Sequence, residues 1–148
     1  MKGSMSASKG ERVAVIDAKG LILGRMASVV AKRLLNGEKI IIVNAGEAVI
    51  SGKRHGVIRR AHEYLQIGHP GKGPLHPRRP DMIVKRAIRG MLPYKRPRGR
   101  EALKRLRIYI DVPEEFRGKS METIPEADVR NLKGPYITVS ELSQAIKG

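Results

Sequence analysis

The chain has 148 residues, 41% of them hydrophobic, enough for one ordinary domain with a real core. Its 30 Lys and Arg against 14 Asp and Glu leave a net charge of +16, far beyond what solubility needs, so the implied partner is a polyanion, either nucleic acid or an anionic membrane surface. Without cysteine there is no disulfide framework, thiolate zinc site or cysteine nucleophile, and no run of about 18 apolar residues exists to span a bilayer.

Residues 1–10 lack an apolar h-region and so are not a secretory signal; they are expected to form a mobile arm ahead of one domain over residues 11–148. Val13 to Asp17 is a short β-branched run that predicts a buried strand. After the glycines at 20 and 24, Leu23, Met26, Ala27, Val30, Ala31 and Leu34 follow one helical face, and Asn36-Gly37 supplies a stop. Ile40 to Asn44 is a continuous apolar strand of the kind buried on both faces of a parallel sheet, so the opening of the chain predicts a βαβ unit.

Ala48 to Ile50 is a brief apolar extension. Val57, Ile58, Ala61, Tyr64 and Leu65 then make a helical stripe, with Lys53, Arg54, Arg59 and Arg60 on the remaining surface. The stretch from Gly68 to Pro77 is too rich in glycine and proline for a helix or a central strand and predicts a long loop. Asp81 is expected to cap a helix whose inner face carries Ile83, Val84, Ala87, Ile88 and Met91, with Lys85, Arg86 and Arg89 outside and Pro93 ending it. A second short helix is expected between Arg100 and Leu106, carrying Arg100, Lys104 and Arg107, followed by a strand from Leu106 to Val112. Residues 114–135 are acidic and turn-rich and predict a surface loop. Tyr136 to Val139 predicts a last strand, and Ser140 with Gln144 the start of a C-terminal helix.

Charge is unevenly spread along this order. Residues 1–51 hold 8 cations and 4 anions, 52–107 hold 17 and 3, and 108–148 hold 5 and 7, giving nets of +4, +14 and −2. Of the 17 cations in the middle, 12 are arginine, whose guanidinium favours bidentate phosphate contacts. Between Arg86 and Leu106 these cations alternate with Ile88, Met91, Leu92 and Leu103, so the stretch predicts a basic surface pinned to a core rather than a loose tail. The basic segments are too broken by Pro and Gly to make one long interfacial helix, which disfavours a membrane. With no Trp, one Phe and four Tyr there are few platforms for stacked bases, so backbone and shape should dominate the contacts.

Catalytic motifs fail on inspection. Gly46 to Lys53 is not a P-loop, because its glycines are misspaced and Arg54 stands where Ser or Thr would bind magnesium; Gly71-Lys72-Gly73 lacks the third glycine of a dinucleotide site. His55, His62, His69 and His76 recur every seven residues, but the intervening glycines and prolines leave them no common face. In the basic segment the carboxylates are Glu63, Asp81 and Glu101, and no nucleophile, base and orienter set emerges. No cofactor, metal site or small-molecule substrate is expected.

Ile16-Asp17-Ala18, Gly24-Arg25-Met26-Ala27-Ser28, Val43-Asn44-Ala45 and above all Arg89-Gly90-Met91-Leu92-Pro93 with Arg98-Gly99-Arg100 carry a family resemblance. From about Val13 to Ala145 the chain resembles the universal thirteenth protein of the large ribosomal subunit. Arg96 to Leu103 and Val112 to Phe116 resemble its archaeal and eukaryotic branch, and the whole looks archaeal. The resemblance implies a three-layer α/β/α fold on a mostly parallel four-stranded sheet, with the basic helix-loop-helix segment in the middle. It further implies a non-catalytic structural role on large-subunit ribosomal RNA in the cytoplasm, beside neighbouring ribosomal proteins. The family's RNA-facing signature lands on Arg89, Gly90, Lys95, Arg98 and Gly99, supported by His69, Arg78 and Arg79. Together with Lys53, Arg54, Arg59, Arg60, Arg86, Arg96, Arg100 and Lys104 from the basic faces, these are the candidate RNA-binding residues. A DNA-binding or non-ribosomal RNA-binding module is the alternative, since charge alone does not separate the two nucleic acids.

Overall fold

A computed structural model describes residues 13–67 and 79–147. The arm at 1–10 and the loop from Gly68 with His69 and Arg78 lie outside the described residues. The order is β1 (Val13–Asp17), α1 (Leu23–Leu35), β2 (Lys39–Val43), β3 (Val49–Ser51), α2 (Arg54–Ile67), α3 (Pro80–Arg89), α4 (Pro97–Lys104), β4 (Leu106–Ile108), β5 (Tyr136–Thr138) and α5 (Val139–Lys147).

The predicted βαβ unit is present. β2 is the central strand, paired in parallel with β1 from Val13↔Lys39 to Asp17↔Val43 and with β4 from Ile40↔Leu106 to Ile42↔Ile108. Ile40 to Val43 are all buried, which is why this strand is apolar without alternation. Helix α1 buries Met26, Ala27, Val30, Ala31 and Leu34, the predicted stripe. It ends where Gly37 takes a φ of 99°, with the Gly37 amide donating to the Leu34 carbonyl at 3.1 Å and the Glu38 amide to that of Arg33 at 3.2 Å. The Arg105 guanidinium also donates to the Leu34 carbonyl, placing a cation at the negative end of the helix. Arg33 bridges Glu38 at 2.7 Å and Glu122 at 3.0 Å, and the Glu38 bond foremost raises the guanidinium above its ordinary pKa.

Several expectations need correction. The strand expected from Leu106 to Val112 ends at Ile108, and Met91, expected on the inner face of α3, is 45% exposed. The parallel sheet has three strands among the described residues rather than four, because β5 pairs antiparallel with β3 in a separate ribbon. The free edge of β1 is taken by a single parallel bridge, in which the Asp17 amide donates to the Glu122 carbonyl at 3.0 Å and the Glu122 amide to that of Val15 at 2.8 Å. The segment 114–135 is correspondingly more than a surface loop: three 3₁₀ turns carry it past β1, Ile124 and Ala127 are buried, and the Ile22 amide donates to the Ala127 carbonyl at 2.7 Å. Finally, Arg79 and not Asp81 stands at the N-cap of α3. Pro80 takes the first helical position, where its fixed φ and missing N–H cost nothing, and Asp81 follows in the first turn.

The main core joins Ile16, Ile40 and Ile42 of the sheet to Val30 and Leu34 of α1, Val84 and Ile88 of α3, Leu92, and Ala102 of α4. A smaller cluster of Val57, Ile137, Leu142 and Ile146 seats α2 and β5 on α5. Helices α3 and α4 both pack on α1. That contact decides which sides of the basic helices face outward.

Candidate nucleic-acid interface

The basic unit is built from α3, the loop at 90–96 and α4. In α3, Val84 and Ile88 are fully buried while Lys85 and Arg89 are exposed and Arg86 is half-buried, so the helix has one side in the core and cations on the other. Leu92, 4% exposed, anchors the chain just before Pro93. Helix α4 starts at Pro97 and buries Ala102, leaving Arg98, Arg100 and Lys104 exposed.

The connection between the two helices is held by specific bonds. The Tyr94 amide donates to the Leu92 carbonyl at 2.7 Å, and the Arg96 amide to that of Pro93 at 2.9 Å. Arg100 reaches back from α4 to donate through Nη1 to the Lys95 carbonyl at 2.8 Å. Gly99 is buried, and a methyl group there would overlap the Pro93 carbonyl, so α4 can lie this close to the turn only with glycine at that position. Gly90 differs: it is exposed, has a helical φ of −63°, and an added Cβ would find only ordinary contacts at 3.5 Å or more. The Arg89 guanidinium lies over the Tyr94 ring, 4.5 Å from its centroid.

The structure thus brings Arg86, Arg89, Gly90, Lys95, Arg96, Arg98, Gly99, Arg100 and Lys104 into one unit. Lys53, Arg54, Arg59 and Arg60 are exposed on or beside α2, which packs on α5. Several cations already have partners: Arg54 pairs with Glu141 at 3.1 Å, Arg79 with Asp81 at 3.0 Å and Lys104 with Glu101 at 3.3 Å. No hydrogen bond or ion pair among the described residues engages the side chains of Lys95, Arg96 or Arg98. Sequence reasoning left Tyr94 out of the site. Its place between Pro93 and a run of cations was the available signal.

Away from this unit, Glu141 accepts the Thr138 amide at 2.9 Å, and Thr138 Oγ1 accepts the Glu141 amide at 3.1 Å. These bonds, rather than Ser140 with Gln144, open α5. The Thr138 amide, foremost, holds the Glu141 carboxyl below its ordinary range. Gly46, part of the rejected P-loop pattern, is buried against Ser140, with no room for a Cβ. Among the described residues, no three His, Asp or Glu side chains gather as metal ligands would, and no helix is long and apolar enough to cross a membrane.

The family described as Ribosomal protein L13 matches residues 11–115. Over 137 residues the chain is 47% identical to the large ribosomal subunit protein uL13 of Archaeoglobus fulgidus, covering 91% of this chain and 88% of the relative. It is 54% identical to that of Methanosarcina barkeri over 132 residues, covering 88% and 94%, and 46% identical to that of Saccharolobus solfataricus over 146 residues, covering 96% and 97%.

Proposed function

The chain belongs to the ribosomal protein L13 family, and from that membership we propose that it is a structural constituent of the large ribosomal subunit that binds folded large-subunit ribosomal RNA through the α3–loop–α4 unit. The reading gives the chain no reaction to catalyse. Its work is to hold RNA segments in place during assembly and in the finished particle, next to other ribosomal proteins. The observation that carries it is a braced turn bearing exposed Lys95 and Arg96, with exposed Arg98 in the first turn of α4, between two helices whose other sides are core. A polyanion meets these charges without any rearrangement of the backbone that presents them, and what is already ordered costs no entropy on binding. Arginine on a fixed backbone also suits the irregular phosphate spacing of folded RNA better than a mobile tail does.

Salt titration of binding to an archaeal large-subunit ribosomal RNA transcript tests this. If about eight phosphates are neutralised, log affinity should fall against log salt with a slope of about −6 to −7. Arg96→Ala with Arg98→Ala should weaken binding and flatten the slope by about 1 to 2 while thermal unfolding stays in place. Arg89 is the poorer choice for this test because it also holds Tyr94. A slope near zero, or duplex DNA competing as well as the RNA at matched salt, contradicts the proposal.

A further inference from the structure

We propose that Tyr94 is a stacking platform for one unpaired nucleobase of the bound RNA, an inference that rests on the RNA-binding reading above. Tyrosine rings normally bury their apolar faces, yet 37% of Tyr94 is exposed, in the turn between the basic helices α3 and α4. Lys95, Arg96 and Arg98 around it are exposed as well, so a phosphate backbone drawn to these cations brings its bases within reach of the ring.

Two features make the ring a prepared surface. The Arg89 guanidinium sits 4.5 Å from the ring centroid, a cation–π contact that favours this orientation of the ring. The backbone on either side is tied down by the amide bonds of Tyr94 and Arg96, by Arg100 on the Lys95 carbonyl, and by the close approach of Gly99 to Pro93. A base settling on Tyr94 would therefore meet a backbone that is already held in place. Arg89, Tyr94 and base would form a continuous stack, the cation facing the electron-rich ring. Tyr136 is also exposed, at 48%, but it lies on β5 in the segment of net −2 charge, where no such approach is favoured.

The alternative is that Tyr94 only braces Arg89 for phosphate binding. The two roles separate on salt dependence, because a stacked base releases no counterions. The experiment measures affinity across a salt series for the full chain and for Tyr94→Phe, Tyr94→Leu and Tyr94→Ala on the same large-subunit ribosomal RNA transcript. Tyr94→Leu keeps apolar bulk beside Arg89 and guards against a folding artefact. Tyr94→Phe should bind within about twofold of the parent, whereas the Leu and Ala variants should each lose about 5- to 150-fold with an unchanged salt slope. Irradiation at about 254 nm should crosslink the peptide containing Tyr94 to the RNA, since stacking puts ring and base in direct contact. Tyr94→Leu binding like the parent overturns the proposal, as does Tyr94→Phe binding as weakly as Tyr94→Ala, or a slope that flattens with the affinity. If the parent chain binds steeply with salt and only these results fail, the RNA-binding reading stands without the platform; if the parent chain does not bind, both fall.

Discussion

Gly90 and Gly99 look alike in the sequence, each one residue past an exposed arginine, but the space around them is opposite. At Gly99 a methyl group would run into the Pro93 carbonyl, which is backbone and cannot turn aside. Gly99→Ala should therefore cost about 1–3 kcal/mol of stability, read by denaturant unfolding, because α4 must move off the turn. At Gly90 the backbone is helical and an added Cβ would lie 3.5 Å from the Arg86 carbonyl. Gly90→Ala should leave stability unchanged or raise it by about 0.4–1 kcal/mol. If the same variant weakens RNA binding, the need for glycine comes from the partner and not from the fold. A single sequence names both residues but does not separate these reasons, since close backbone approach is a property of the folded chain.

Short elements were the ones the sequence described least well. Helices α1 and α3 were legible because a buried stripe repeats at 3.6 residues over ten or more positions. β5 has three residues, too few to carry a partner preference, and its pairing with β3 is decided by contacts such as Ile50 opposite Ile137. In the same way Ile124 and Ala127 are too sparse among acidic residues to announce that their segment is packed. The start of α5 shows the limit from another side. Thr138 and Glu141 form a reciprocal cap, a pattern readable three residues apart, yet Tyr136 to Val139 reads first as a strand and hides it. Thr138→Ala should cost about 0.5–2 kcal/mol. Glu141 also pairs with Arg54, but both side chains are largely exposed and that pair is worth at most about 1 kcal/mol. Since the folded state lowers the Glu141 pKa from 4.5, its contribution is complete above that value and is lost as pH falls through the lower folded one. The stability difference between the parent chain and Glu141→Gln should be flat from about pH 6 to 8 and shrink only in acid, as urea unfolding at several pH values will show.

On the scale of the whole molecule, charge opposes the fold. The net of +16 is concentrated in residues 52–107, and the ion pairs that relieve it there, at Arg54, Arg79 and Lys104, are surface pairs of small individual worth. The uneven charge is fully legible in the sequence, because it depends only on the order of the residues. What was missing was that α3 and α4 share α1 as their support, which turns a basic stretch of sequence into one surface. Self-repulsion of this size should make the free protein gain stability with salt: its melting temperature should rise between about 50 and 500 mM NaCl, where a fold held by surface ion pairs would lose. The sheet carries that repulsion into the folding reaction. Strand β2 ends at Val43 and its second partner begins at Leu106, so the third strand registers only after the chain from 44 to 105 has closed into a loop. Closing an ordinary loop of that length is a modest entropic cost; here the loop also carries 16 of the 30 cations against 4 of the 14 anions, a net of +12 out of +16, drawn together before the pairing rewards it. Refolding should accordingly speed up with added salt or polyphosphate more than unfolding slows, seen as a shift in the refolding arm of a denaturant chevron. If the proposed RNA-binding role holds, a polyanion should act as a folding catalyst as well as a destination, because the strand order requires the basic loop to close first.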